Sequence, residues 1–425
     1  PEKAVLVGLW AETMEPEERA TEESLAELEA LLETAGGVCV GTVLQRRQAP
    51  EARTLIGEGK VREVKDLVEA EGATLVVFDN ELSPSHQRAL SEDLKVRVLD
   101  RSALILDIFA QRARTREGRL QVELAQYKYL LPRLTGMWTH LERQAGTSGG
   151  IGVRGPGETQ LETDRRHIRR KIQKLEDELE EVRRVRATQR RRREKNGMSV
   201  VALVGYTNAG KSTLLNALTQ AGIPAVGRLF DTLDTTTRYL KVSDTLEVLL
   251  SDTVGFIRKL PHHLVEAFKA TLEELKFADV IVHVIDISNP EWEEQAAVVN
   301  RLIRELDANS TPRIEAYNKC DLVPETVVPR GERKVAISAR TGKGLDKLLS
   351  EIEKILAGAQ RRVVLSIPYG EGGVMDQLYR DASVLRVDYR ESGIEVEAVV
   401  RAETLGRLRP YIAPAAEPDT EEAAI

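Results

Sequence analysis

The sequence predicts an α/β multidomain fold: a small parallel α/β N-terminal domain, an antiparallel helical hairpin, an α/β domain built on a phosphate loop, and a small α+β C-terminal domain. Three observations carry this. Short apolar runs alternate with helical periods over residues 1–110 and again from Ser199 to about Gly358. Two apolar seams with heptad spacing lie between these regions. One strand–turn–helix junction, inside the second region, reads Gly-x-x-x-x-Gly-Lys-Ser.

In the first region, Ala4–Leu9, Val38–Leu44, Thr74–Phe78 and Val96–Leu99 read as buried strands. Leu25, Leu28, Leu31 and Leu32 mark the core face of one helix; Val61, Val64, Leu67 and Val68 mark that of another. Strands separated by helices argue for a parallel sheet. Gly57-Glu-Gly-Lys60 reads as a turn and helix start rather than a second phosphate cradle. The pattern then changes to a seam at Leu120, Leu124, Tyr127, Leu131, Leu134, Trp138 and Leu141, which Pro132 should break locally. Ile168, Ile172, Leu175, Leu179 and Val182 repeat the spacing. Two such seams joined by a loop predict an antiparallel hairpin over 111–196, with packing on a neighbouring domain as the alternative.

The connection, Ala145–Gly157, holds six glycines in thirteen residues. Its Gly150-x-Gly152-x-x-Gly155 matches a dinucleotide fingerprint only formally, since no strand precedes it and Pro156 follows at once. After residue 358 come the strand Val363–Ile367, helix Val374–Ala382, strands Val384–Tyr389 and Ile394–Val400, and helix Glu403–Leu408. This order predicts a compact sheet with helices on one face over 359–412. Residues 413–425 are acidic and alanine-rich, and read as a disordered tail.

Composition excludes several classes. With 42% apolar and 30% charged residues, the chain is neither globally disordered nor collagen-like. No apolar run reaches the 18 or so residues that span a bilayer, and Lys3–Trp10 is too short for a secretory signal. Two cysteines, Cys39 and Cys320, cannot make a disulfide framework, so a cytoplasmic location is expected. The net charge of −7 conceals a split. Gln111–Lys195 carries 22 Lys/Arg against 12 Asp/Glu, leaving 39 against 56 elsewhere. Such a basic segment suits phosphate backbones. Arg154, Arg165, Arg166, Arg169, Arg170 and the run Arg190, Arg191, Arg192, Arg193 are its candidate RNA contacts; a solvated charged helix pair is the alternative.

The chemistry lies in the second α/β region, 197–358. Val200–Val204 leads into Gly205, Tyr206, Thr207, Asn208, Ala209, Gly210, Lys211 and Ser212, then the helical run Thr213–Leu218. In that context the loop amides and helix dipole face a β-phosphate, Lys211 reaches β/γ oxygens, and Ser212 ligates Mg²⁺. Asn318-Lys319-Cys320-Asp321 follows the strand Arg313–Tyr317. The Asp321 carboxylate can accept from the N1–H and N2–H₂ edge of guanine, a donor pair that adenine lacks. Ser338, Ala339 and Arg340, after Val335–Ile337, supply an amide for guanine O6. In this order the motifs predict GTP and GDP as ligands. Asp252, Thr253, Val254 and Gly255 end the strand Glu247–Leu250: Asp252 should hold Mg²⁺ through a water, and the Gly255 N–H should sense the γ-phosphate. Phe230, Asp231, Thr232, Leu233 and Asp234, with Thr235–Thr237, offer four threonines for the switch that closes on Mg²⁺, and spacing does not choose among them.

The motif set resembles the translation-factor-like class of small GTPases, in which an F-x-T-L-type switch points to Thr232. Phe256 stands where Ras-like enzymes place a water-orienting glutamine, and an aromatic ring cannot align water, so intrinsic hydrolysis should be slow. Asn208 resembles the asparagine that ligates a stimulatory K⁺ in GTPases without that glutamine, which makes K⁺ an expected second ion beside Mg²⁺. The catalytic set is then Lys211, Asn208, Thr232 and Gly255. The flanking helices add more specific motifs: Asp107–Ala113 (DIFAQRA), Leu120–Ala125 (LQVELA), Leu131–Leu134 (LPRL) and Gly152–Arg165 (GVRGPGETQLETDR). With these the chain resembles the HflX family of ribosome-associated GTPases over nearly its whole length. The resemblance implies binding to the large ribosomal subunit, splitting or rescue of stalled ribosomes, and ribosome-stimulated GTP hydrolysis. An RNA chaperone or subunit-assembly factor timed by GTP is the alternative. A monomer is expected when free. His262 and His263 are expected on a switch segment, not as a metal pair, and Cys320 behind the base loop.

Overall fold

The computed structural model describes residues 1–134, 156–195, 198–219, 229–230, 236–358 and 360–413. The tip Ala145–Gly155 with Arg154, Trp138 and Leu141 of the first seam, Asp231–Thr235 and the tail after residue 413 lie outside them.

The first unit runs β1 (Glu2–Ala11), α1 (Glu22–Thr34), β2 (Gly37–Arg47), α2 (Glu58–Glu71), β3 (Leu75–Phe78), α3 (Pro84–Leu94), β4 (Arg97–Asp100) and α4 (Arg101–Arg112). Its sheet is parallel throughout, in the order β2-β1-β3-β4. Ala4 and Leu6 face the core shared with α1 and α4, whereas Val5, Val7 and Leu9 face that of α2 and α3. Burial on both faces is why these strands read as unbroken apolar runs. β1 and β2 extend beyond their apolar runs, because backbone ladder bonds, not side chains, set a strand's end. Thr21 closes a capping box with Ser24 at α1, and Gly57 caps α2, so the Gly57–Lys60 segment is a helix start.

α5 (Arg116–Leu130) stops where Pro132 forbids continuation and passes into a single 3₁₀ turn, Leu131–Arg133. Arg133 ties this corner down: its guanidinium lies 3.6 Å from the Tyr129 ring centre and donates to the Leu82 carbonyl at 2.7 Å. The partner helix α6 (Pro156–Lys195) runs antiparallel, with bonds from Lys171 to Tyr127 (2.8 Å), Lys128 to Glu176 (2.9 Å) and Arg186 to Glu117 (2.8 Å). Ile168, Leu175 and Leu179 bury the second seam. The hairpin is therefore real, and the alternative of packing on a neighbour holds as well. Val122, Leu124 and Ala125 of α5 join a core that contains α4 and the helix His262–Leu272.

The third unit contains β5 (Ser199–Gly205), α7 (Lys211–Thr219), β6 (Thr236–Ser243), β7 (Leu246–Asp252), α8 (His262–Leu272), β8 (Val280–Asp286), α9 (Trp292–Glu305), β9 (Arg313–Asn318), β10 (Lys334–Ala336) and α10 (Leu345–Ile355). Its sheet order is β10-β9-β8-β5-β7-β6, with β6 alone antiparallel to its neighbour. Strand order reverses at β5, where an open α/β sheet leaves a crevice beyond its strand ends. The last unit is β11 (Gln360–Ile367), α11 (Gly372–Asp381), β12 (Ser383–Arg390), β13 (Gly393–Arg401) and α12 (Ala402–Leu408). Its antiparallel sheet β11-β13-β12 buries Leu365, Val396 and Ala398 with Met375, Leu378 and Leu408. No helix among the described residues is long and apolar enough to cross a membrane.

Candidate GTP site

β5 delivers the chain to the crevice at Gly205, and α7 takes it away from Lys211. Between them the loop turns by left-handed residues: Asn208 has φ +62° and Gly210 φ +99°. Asparagine tolerates that region better than most side chains, which gives Asn208 a backbone reason to be there. Gly210 has no such latitude. A Cβ on it would lie 2.2 Å from Asn318 Nδ2.

That Asn318 amide joins all three motifs. Nδ2 donates to the Ala209 carbonyl at 2.8 Å, and Oδ1 accepts from the Ala339 N–H at 3.0 Å. Lys319, also left-handed at φ +63°, donates from Nζ to the Asn208 carbonyl at 3.2 Å and pairs with Asp286 at 2.5 Å. The base loop, phosphate loop and Ser338–Arg340 turn are thus one bonded body. Asp321 is exposed beside them, and a hydrogen bond from Ser338 holds its carboxyl below the usual range. Cys320 is buried behind the loop, with burial pushing its thiol up, and Arg340 is exposed.

Lys211 is buried and donates to the carbonyls of Tyr206 (3.0 Å) and Gly205 (3.3 Å). Burial lowers its pKa below the ordinary lysine value while Asp252 opposes the shift. A buried ammonium with carbonyl partners is suited to gain from phosphate oxygens. Ser212 Oγ donates to Asp252 Oδ2 at 3.0 Å. A hydroxyl and a carboxylate at this separation are the hard oxygen donors that Mg²⁺ takes, with water completing its shell, so the residues present fit that ion. When bound, Mg²⁺ would neutralise charge on the β- and γ-phosphate oxygens.

Thr253 donates from Oγ1 to the Leu203 carbonyl at 2.7 Å, and Val254 is buried. Beyond Gly255 the chain is stitched to the phosphate loop. The Thr207 N–H donates to the Phe256 carbonyl (2.7 Å) and the Phe256 N–H to the Gly205 carbonyl (3.1 Å). The Phe256 ring is buried in the core. Phe230 is buried too, edge-on to Phe109 at 4.7 Å, and its N–H donates to Thr207 Oγ1 at 2.9 Å. Of the four switch threonines, Thr236 and Thr237 stand in the β6 ladder opposite Asp252 and Ser251, which commits their backbones to the sheet. Thr232, Asp231, Leu233 and Asp234 lie outside the described residues. His262 and His263 open α8 as its first turn, and no group of metal-ligating side chains occurs among the described residues.

Sequence reasoning missed the part of the site that comes from the first unit. Tyr206 Oη donates to Glu27 of α1 at 2.6 Å and accepts from the Arg258 N–H at 2.9 Å. Nothing in a single sequence marks a pair 179 positions apart.

A switch-point phosphate loop, an aspartate bonded to its serine and an Asn/Asp base loop define a P-loop GTPase, which cleaves the β–γ phosphoanhydride of GTP. Residues 22–110 match the family described as GTP-binding GTPase N-terminal, 112–193 the GTP-binding GTPase middle region, and 200–319 the 50S ribosome-binding GTPase. The chain is 48% identical to the GTPase HflX of Caldanaerobacter subterraneus, over 97% of this chain and 94% of that one. To the GTPase HflX of Escherichia coli it is 45% identical, covering 87% and 88%. Among solved structures, it is similar to a GDP-bound GTP-binding protein of Sulfolobus solfataricus, at 24% identity and TM-score 0.43, covering 84% and 98%. The chain belongs to the HflX family of GTPases.

Proposed function

We propose that this GTPase works on the ribosome: it binds the large subunit through the basic arm 111–196, splits or rescues stalled ribosomes, and hydrolyses GTP faster when bound there. The observation that carries the reading is α6. Forty residues at 1.5 Å each make a helix of about 60 Å. Arg166, Arg169, Arg170 and Arg191 are exposed along it and Arg165 is half-buried. Such a rod suits rRNA, which is recognised by phosphate and shape more than by base edges. Arg154, Arg190, Arg192 and Arg193 are proposed from the sequence as further RNA contacts. The family description of a 50S ribosome-binding GTPase supports the same partner.

Within the site, we assign Thr232 to the Mg²⁺-closing switch, Asp252 to a water-mediated Mg²⁺ contact, the Gly255 N–H to the γ-phosphate, and Asn208 to a stimulatory K⁺ that stands in for an arginine finger. Asp321 reads guanine, and the protein acts as a monomer in the cytoplasm.

The decisive experiment incubates intact ribosomes with the protein and GTP, or a non-hydrolysable analogue, and sediments them. Subunit separation with the analogue supports splitting driven by binding. Intact particles in both samples favour an RNA chaperone or assembly factor. GTP turnover is measured in parallel with and without large subunits, in KCl and in NaCl; equal rates in the two salts remove K⁺.

A further inference from the structure

Asp286 is the last residue of β8 and stands opposite Asn318, the last residue of β9, in the register of the sheet. The turn that follows aims its carboxylate. Oδ1 accepts from the Ser288 N–H at 3.0 Å and from the Ser288 hydroxyl at 2.5 Å. An aspartate bonded to its own backbone two residues on is held in one orientation. Oδ2 is thereby presented to Lys319, whose ammonium donates to it at 2.5 Å. Side-chain exposure is 13% for Asp286 and 29% for Lys319, so solvent screens this pair less than an open surface pair.

Two features set the pair apart from an ordinary structural ion pair. First, the same ammonium donates to the Asn208 carbonyl at 3.2 Å, so a single lysine spans from the end of β8 to the phosphate loop. Second, both residues joined by that bond are left-handed, Asn208 at φ +62° and Lys319 at φ +63°. Side-chain-bearing residues keep that conformation only when their surroundings enforce it. A lysine by itself enforces little, because its ammonium is a point charge on a flexible stem with three rotatable donors. A carboxylate fixed on the far side of that ammonium limits where it can stand. Asp286 lies 33 positions before Lys319, outside every spacing that marks a guanine-nucleotide motif.

We propose that Asp286 is a positioning residue for guanine-nucleotide binding: it holds the Lys319 ammonium on the Asn208 carbonyl and so fixes the base loop against the phosphate loop before nucleotide arrives. Loops ordered in advance spare the ligand the entropy of ordering them. The inference goes beyond the ribosomal reading and needs no ribosome to test it.

The test uses the full chain and fluorescent GDP, displaced by unlabelled GDP and by GTPγS in Mg²⁺. Asp286→Asn keeps the shape and deletes the charge; Lys319→Met keeps the stem and deletes the ammonium. Asp286→Asn should weaken GDP and GTPγS alike, by about tenfold or more, the lower end for a bond between charged groups. Lys319→Met should lose as much, and the double variant no more than twofold beyond the weaker single. In steady-state GTP turnover the loss should fall on KM, with kcat moving less than twofold. Thermal melting is recorded beside each titration, since a merely structural ion pair would lower the melting temperature and leave affinity and KM alone. Should Asp286→Asn fail to fold, Lys319→Met carries the test. Either single variant binding GDP within threefold of the parent, or a double variant losing the product of the two single losses, overturns the proposal.

Discussion

Replacing Gly210 by alanine tests whether the three nucleotide motifs form one bonded body. Two costs follow from the geometry. The residue sits at φ +99°, where a Cβ costs about 1–2 kcal/mol. The added methyl would also lie 2.2 Å from Asn318 Nδ2. Asn318 must then give up its bonds to Ala209 (2.8 Å) and Ala339 (3.0 Å), each worth about 0.5–1.5 kcal/mol. Together these place the loss at about 2–5 kcal/mol, or roughly thirty- to several-thousandfold in nucleotide affinity if it falls on binding. The assay is displacement of fluorescent GDP, with thermal melting beside it to show how much of the loss falls on the unliganded fold. Asn318→Ala and the double variant complete a cycle. Because the methyl acts by displacing Asn318, the double variant should lose less than the two single losses combined. Gly210→Ala binding GDP within threefold of the parent with an unchanged melting temperature, or a strictly additive cycle, would refute the reasoning.

Other consequences follow. Asp321→Asn should weaken GTP and favour xanthosine triphosphate, whose C2 carbonyl suits an amide donor; unchanged competition between the two nucleotides would remove Asp321 from base reading. His283, buried in β8, has its pKa pushed down from 6.5 to about 3 by burial. The unfolded chain therefore binds a proton that the folded one refuses. Stability should fall by about 1.4 kcal/mol per pH unit as pH drops below 6.5 toward 3. Melting between pH 7.5 and pH 5 should thus be more acid-sensitive in the parent than in His283→Gln, and equal slopes would contradict this. Neutralising Arg190–Arg193 should lower large-subunit affinity and flatten its dependence on salt, whereas an unaltered slope would return that run to a solvated face.

The sequence by itself determined the chemistry, because the chemistry is local. Gly205–Ser212, Asn318–Asp321 and Ser338–Arg340 each lie within one turn of chain, where backbone geometry fixes what a spacing can do, so the nucleotide and its loops were legible from residue order. The heptad seams were legible for the same reason: Leu175 and Leu179 repeat at a helical period whatever they pack against. Only the tertiary structure decided what packs on what. It buried Phe230 and Phe256 in a core with Phe109, turned α5 toward α8 as well as α6, and brought Glu27 to Tyr206. These contacts join segments far apart in the chain. Their side chains follow no period or spacing that a single sequence could display, so they exist only once the domains have docked.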